Sequence, residues 1–393
     1  MYFVQVVAAP LAAPGREALP ERLWFWGYAA SMLVVAVLSP VLGAIADERA
    51  LKKRFLIVST LVCVGCTALL ATVRAGDVTA GLLLFGIANI AFDLGFVFCS
   101  AFLVEISTPA TIGRISGYGW GLGYVGGLLS LALAFPFIKG GLAPENLPSY
   151  RMSFAVTAAF FLIAALPTVL WLRERAVPQP SSGASIVQCA FGRLRSTARQ
   201  LGRYRELLLY LAGYLIYTDA INTVIVASAI FANKVLDFSP ADLIKYFLVT
   251  QVTAGVGAVW FGRWADQVGA KRTIGVTLVA WVVLSVAAAA VQTHAQFYLI
   301  GLVAGAALGA NQSASRMLLA QFTPVGRQGE FFGFFSVTGK FAAILGPVLY
   351  GEVTAATGSQ RWAVLSMGVF FLTGLLLLQK VNERRGIEAA AWE

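Results

Sequence analysis

In this chain of 393 residues, 59% are hydrophobic and only 12% charged, and the mean hydropathy is +0.78. That excludes a soluble globule, in which about a quarter of residues carry charge. The net charge of +10 could suit a nucleic-acid partner, but the basic residues lie at the ends of apolar runs, not in one soluble patch. They read as membrane-topology signals and speak against nucleic acid.

Met1 to Ala13 is apolar but about 20 Å long as a helix, too short for a hydrocarbon core of about 30 Å. It lacks the basic region and cleavage site of a signal peptide and reads as the second half of a first helix. Pro14 to Arg22 reads as a polar turn. Full spans are expected at Trp24–Ala46, Phe55–Val73, Ala80–Val104, Ser116–Ile138 and Arg151–Leu172. Cys63 and Cys66 form a C-x-x-C inside an apolar span, and with Cys99 and Cys189 they make no disulfide framework; small-residue packing is the reading. In the fifth span, glycines at 117, 119, 121, 123, 126 and 127 predict close helix contact through pairs such as Gly119 and Gly123.

Residues 173–205 form the one long break. Pro178 to Gly183 has linker chemistry, and Val187, Ala190, Phe191, Leu194, Ala198 and Leu201 follow at helical spacing with arginines between them, which predicts a basic helix along the membrane face. The second half carries spans at Glu206–Phe231, Ala241–Phe261, Thr273–Val291, Phe297–Leu319, Phe331–Ala355 and Trp362–Gln379, with Ser239 as an N-cap before Pro240. The expected architecture is all-α and integral to the membrane: twelve transmembrane helices, the first truncated, as six-helix halves at 1–172 and 206–393 around the linker. Of the 29 lysines and arginines, 20 fall in one set of connections, which predicts that this side and both termini face the cytoplasm in a multi-pass protein.

The halves echo one another. Gly43 and Asp47 recur as Gly262 and Asp266, each 219 residues on, and a basic cluster follows each aspartate; Arg263, Lys271 and Arg272 are the basic residues of the second loop. Each aspartate ends a helix beside glycine and can accept hydrogen bonds from neighbouring helix ends or basic side chains, so the two loops are candidate conformational switches that hold only while the inner side is shut. This loop after the second helix of each half, with the doubled bundle and the basic linker helix, resembles the major facilitator superfamily. Ser39 to Asp47, Phe102 to Ile106, Ser116 to Trp120 with Gly123-Tyr124, Gly329 to Gly333, Gly339-Lys340 and Gly346-Pro347 are similar to the branch of autophagy-related fungal vacuolar amino-acid effluxers and their bacterial relatives. Three positions depart from it. Ala50 stands where the loop usually has glycine and Val104 where proline is usual. The acidic residue and asparagine, three apart, that normally open the first helix are not found before Tyr2, although Asp219 and Asn222 look like their counterpart.

Ionised groups within a span are costly and mark function by default. Asp93, Asp219 and Lys340 lie near mid-span and could meet in one cavity; Asn89 and Asn222 share faces with the aspartates, and Tyr124, Tyr217 and Gln251 lie at similar depth. These are the candidates for the solute or proton pathway, with a static Lys–Asp pair as the competing reading. Asn311, Gln312, Ser315 and Arg316, and separately Glu105, Thr108 and Arg114, are candidate cytoplasmic gates, with interfacial snorkelling of Arg316 as the alternative. His294 reads as solvated surface. No phosphate-binding loop or metal-ligand set is found, so neither an ATP-driven pump, an enzyme, a cofactor nor a metal is expected. The resemblance implies a secondary transporter of a small polar solute, with an amino acid as the leading candidate, proton coupling open, and a monomer in the bilayer of the cell membrane. A drug or metabolite effluxer and a non-transporting sensor remain the alternatives.

Overall fold

The computed structural model describes residues 2–12, 19–176, 178 and 203–391, so the expected linker helix falls, over 179–202, outside the described residues. Regular structure among the described residues is helical. The helices are α1 (Leu19–Arg49), α2 (Lys52–Leu69), α3 (Val78–Ala101), α4 (Leu103–Ile106), α5 (Ile112–Ile138), α6 (Leu147–Trp171), α7 (Arg205–Leu236), α8 (Pro240–Val268), α9 (Ala270–Ala290), α10 (His294–Gln321), α11 (Gln328–Phe341), α12 (Leu345–Thr357), α13 (Gln360–Lys380) and α14 (Glu383–Ala391). With α3 and α4 counted together, and α11 with α12, 11 segments are long and apolar enough to cross a membrane, in the order of the full spans expected. Several helices outrun their apolar cores because polar caps extend them. Reciprocal capping boxes start α8 at Ser239 and Asp242 and α10 at Thr293 and Gln296.

The first residues are less regular than half a helix. Phe3–Val7 form a wide turn closed by the Ala8 N–H on the Phe3 carbonyl at 2.8 Å, and Ala9–Leu11 form a 3-10 turn. Pro10 has no N–H with which to extend a regular ladder. Packing fixes the segment instead: Tyr2, Phe3, Val7 and Ala8 are buried with Val73, and the Tyr2 hydroxyl donates to the Val73 carbonyl at 2.8 Å.

The chain divides into two compact units, one of Met1–Phe102 and Leu129–Phe191, the other of Leu103–Leu128 and Gly192–Glu393. The division cuts α5 after Leu128, inside the half expected to run from 1 to 172. In the first unit α2 packs on α3 and α6, and α1 on α3; in the second α8 packs on α10, α9 on α13 and α10, and α7 on α11 and α13. Glycine makes the α8–α10 contact possible. A Cβ built on Gly309 would fall 1.9 Å from the Ala254 carbonyl oxygen, and one on Gly257 would fall 2.4 Å from that of Ala306. The two backbones therefore touch, as they do where small residues drive helix association in lipid.

The span expected to run unbroken from Phe331 to Ala355 is in fact two helices. It parts between Phe341 and Leu345, and the cause lies on another helix, as the site geometry explains.

Candidate functional site

Polar contacts gather at two places in the second unit, and the first is the beginning of α5. The first N–H groups of a helix have no partner within it and carry the positive end of its dipole, so a carboxylate there is doubly favoured. Asp266, near the end of α8, fills that role: its Oδ1 accepts the Gly113 N–H at 2.6 Å and its Oδ2 the Arg114 N–H at 2.9 Å. Arg316 of α10 adds a second hold. Its Nε donates to Ser116 Oγ at 3.0 Å and its Nη2 to the Ser116 carbonyl at 2.7 Å, with the guanidinium 5.8 Å from the Trp120 ring centroid. Ser116 in turn donates to the Ser313 carbonyl at 2.9 Å. Arg263 lies against the Tyr118 ring and donates twice to its hydroxyl, at 3.2 and 2.9 Å, and the Tyr124 hydroxyl donates to Gln312 Oε1 at 2.5 Å.

Small residues permit this approach, though on a different face from the one expected. A Cβ on Gly113 would fall 2.5 Å from the Gly262 carbonyl oxygen, one on Gly117 would fall 2.3 Å from that of Ala258, and one on Gly121 would fall 2.6 Å from Val259 Cγ2. The packing face is thus Gly113, Gly117 and Gly121. Gly119 serves to admit the Arg316 guanidinium, 2.7 Å from where its Cβ would stand, while Cβ atoms on Gly123, Gly126 and Gly127 would meet nothing within 4 Å.

The second cluster lies at the break between α11 and α12. Asp219 Oδ2 accepts the N–H groups of Leu345 and Gly346, at 3.0 and 2.9 Å, so α7 supplies the cap that starts α12. Asn222, one turn on, donates to the Ala342 carbonyl at 2.5 Å and satisfies the end of α11. Gly346 is required for the fit, since a Cβ there would lie 2.2 Å from Thr223 Oγ1. Lys340 is half-buried in the last turn of α11, just before the break. Discontinuous spans of this kind are tolerated in a membrane where other groups satisfy the freed backbone.

Other expected residues are structural links within the second unit. Tyr217 is fully buried, its hydroxyl 2.9 Å from Ser315 Oγ; Ser315 donates to Asn311 Oδ1 at 3.3 Å, and Asn311 donates to Thr277 Oγ1 at 3.0 Å. This chain ties α7, α10 and α9 together. Lys271 donates to the Gln379 and Val381 carbonyls, at 3.0 and 2.7 Å, and so caps the end of α13, while Arg272 is exposed. Gln251 is half-buried on α8, Glu105 is half-buried in α4, and Thr108 pairs with Thr111 at 3.0 Å. Arg114 takes part through its backbone, and its side chain is exposed. His294, expected as plain solvated surface, is exposed but has Nε2 2.6 Å from the Leu236 carbonyl oxygen.

In the first unit, Asp93 is buried on α3, and Asn89, one turn earlier, donates to Ser31 Oγ at 3.0 Å. Gly43 is buried in α1, and Asp47 Oδ1 lies 3.6 Å from Lys52 Nζ, both side chains being out of solvent. Glu174 accepts the Lys52 and Lys53 N–H groups at 2.7 and 3.1 Å and so caps α2. Sequence reasoning did not single out Ser116, Ser313, Tyr118 or Glu174 as site residues. Gly113 and Gly117, one turn apart beside Ser116, were the available signal for the first two.

A family model described as "Vacuole effluxer Atg22 like" matches residues 24–391. An uncharacterised MFS-type transporter of Bacillus subtilis, YxiO, is 30% identical over 386 residues, covering 96% of this chain and 89% of that protein. Autophagy-related protein 22 of Yarrowia lipolytica is 24% identical over 344 residues, and the match covers 79% of this chain but 57% of the fungal protein's length. Among solved structures, the Escherichia coli fucose:proton symporter FucP has a TM-score of 0.70 at 13% identity, covering 92% of both chains. The human organic anion transporter MFSD10 has a TM-score of 0.69 at 18% identity, covering 92% of this chain and 85% of that one. At such identities the likeness is one of fold.

Proposed function

We propose, from the premise that this chain belongs to the Atg22-like vacuole effluxer family of the major facilitator superfamily, that it moves a small polar solute, an amino acid first among them, by proton-coupled alternating access. One observation carries the reading: the start of α5 is held to α8 and α10 by bonds suited to repeated breaking and remaking. The carboxylate of Asp266 on two backbone N–H groups and the guanidinium of Arg316 on Ser116 can both exchange for water without leaving a group buried and unmet. The glycines further along α5 have open space beside them, which supports closure at the starting end alone. The excess of basic residues on that side supports a cytoplasmic location for it, along with both termini. Asp93, Asp219 and Lys340 stand as the ionisable candidates for solute or proton contact, and Asp219 with Asn222 also holds the helix break.

The test is reconstitution in liposomes with a labelled amino-acid mixture. Uptake above that of protein-free vesicles, counterflow, and a response to an imposed pH gradient are the expected results. Folded protein that gives neither uptake nor counterflow with any amino acid would overturn the amino-acid assignment, and flux of an apolar drug in its place would favour the effluxer reading.

A further inference from the structure

The two oxygens of the Asp219 carboxyl do different work. Oδ2 takes both N–H groups at the start of α12, whereas Oδ1 is enclosed and has no hydrogen-bond partner. The residue is 2% exposed. An anionic oxygen left without a partner in such a place is costly, unless a cation occupies it for part of the time. The surroundings restrict which cation fits. The side of Oδ1 that faces Gly346 is walled so closely that a Cβ on that glycine would lie 3.0 Å from Oδ1, 2.2 Å from Thr223 Oγ1 and 3.1 Å from the Asp219 carbonyl oxygen. No ion with a hydration shell can enter there, but a proton needs no more room than the oxygen already has. Thr223 Oγ1 lines the same wall beside Gly346, and it donates its own proton to the Asp219 carbonyl at 2.7 Å, which leaves its lone pairs available.

We propose that Asp219 Oδ1 is a proton-binding site and that its occupancy sets how firmly α12 is held. When the proton arrives, the carboxylate becomes a neutral acid, and Oδ2 changes from a charged acceptor to a neutral one of roughly half the strength. The break then loosens on the α12 side, while Asn222 keeps its grip on α11. The charged groups on neighbouring helices leave Asp219 little competition. α13 has none between Arg361 and Lys380, α12 brings Glu352, α10 brings His294 at its start and Arg316, which is bound at Ser116, and α14 carries its charges past the end of α13. On α11, Glu330 is in the first turn and Lys340 in the last, five residues before Leu345; α7 itself contributes Tyr210, Tyr214 and Tyr217.

This site gives the transport reading its coupling group, and its test needs no solute, so the two can fail separately. Hydrogen–deuterium exchange of the amides over 343–350, in reconstituted protein and corrected for the chemical rate, should rise about threefold or more between about pH 9 and about pH 5. Asp219→Asn should show the raised exchange throughout, with no pH response. Asn222→Ala, which leaves the carboxyl intact, should retain the response. Thr223→Val, which removes the hydroxyl that lines the Gly346 wall together with Oδ1, should move its midpoint. A wild-type protein with no response would overturn the proposal, as would an Asp219→Asn protein with an unchanged response. Should that variant not fold, a midpoint unmoved in Thr223→Val would assign the titration to another group.

Discussion

The same loop occurs twice, and its two copies do different work. In the later copy Asp266 reaches outward to two N–H groups of α5, and Lys271 reaches outward to two carbonyls of α13. In the earlier copy the equivalent pair turns inward, with Asp47 3.6 Å from Lys52 and both buried, and the cap on the following helix comes from Glu174. The turn residue differs too: Gly269 has φ +95, whereas Ala50 takes a positive φ of 52 despite its side chain. A shared sequence pattern therefore specifies a helix end with one acid and one base, and the neighbouring helices decide which partners those groups find.

The contrast is most sharply broken by Asp47→Asn. It would neutralise the carboxylate 3.6 Å from the buried Lys52 ammonium, and losing one partner of a buried pair costs about 3–5 kcal/mol. The expected outcome is a fall in the yield of folded protein and in its melting temperature, with much of both recovered by adding Lys52→Met. Asp266→Asn comes next and acts on rate instead. The bonds it weakens are of a kind worth about 1.5–3 kcal/mol each, so transport should fall about 10- to 100-fold while protein level stays close to wild type. Equal transport at equal abundance would remove the switch role. The smallest effect belongs to the turn. Ala50→Gly should raise stability by up to about 1 kcal/mol and Gly269→Ala should lower it by about as much, since only glycine takes positive φ without strain. Matched melting curves of the two variants would check the pair.

The spans and the helix ends at the two aspartate loops were legible because each depends on local pattern: apolar length, glycine beside acid, and basic residues at span ends. The break in the tenth full span was not. Phe331 to Ala355 is apolar enough to read as one helix, and the groups that part it, Asp219 and Asn222, lie more than 100 residues earlier. Gly346-Pro347 was the only local hint. Depth within a span likewise singled out Tyr217, and a run of polar residues near a span end singled out Asn311, without revealing that they bond to Ser315 and Thr277 inside one bundle. The glycine face of α5 was misassigned for a related reason. Several registers of small residues compete in that helix, and the choice belongs to the Ala258 and Gly262 backbone across from it.

The contact of α8 with α10 has a mechanical consequence. With Gly257, Gly305 and Gly309 placing main chain against main chain, and the Tyr246 ring against Gly301, the two helices cannot slip past each other without collision. They form a single stiff beam. Pulling the Asp266 end free must therefore tilt the far tip, where the Tyr246 and Phe297 rings stack at 4.7 Å, by the same angle.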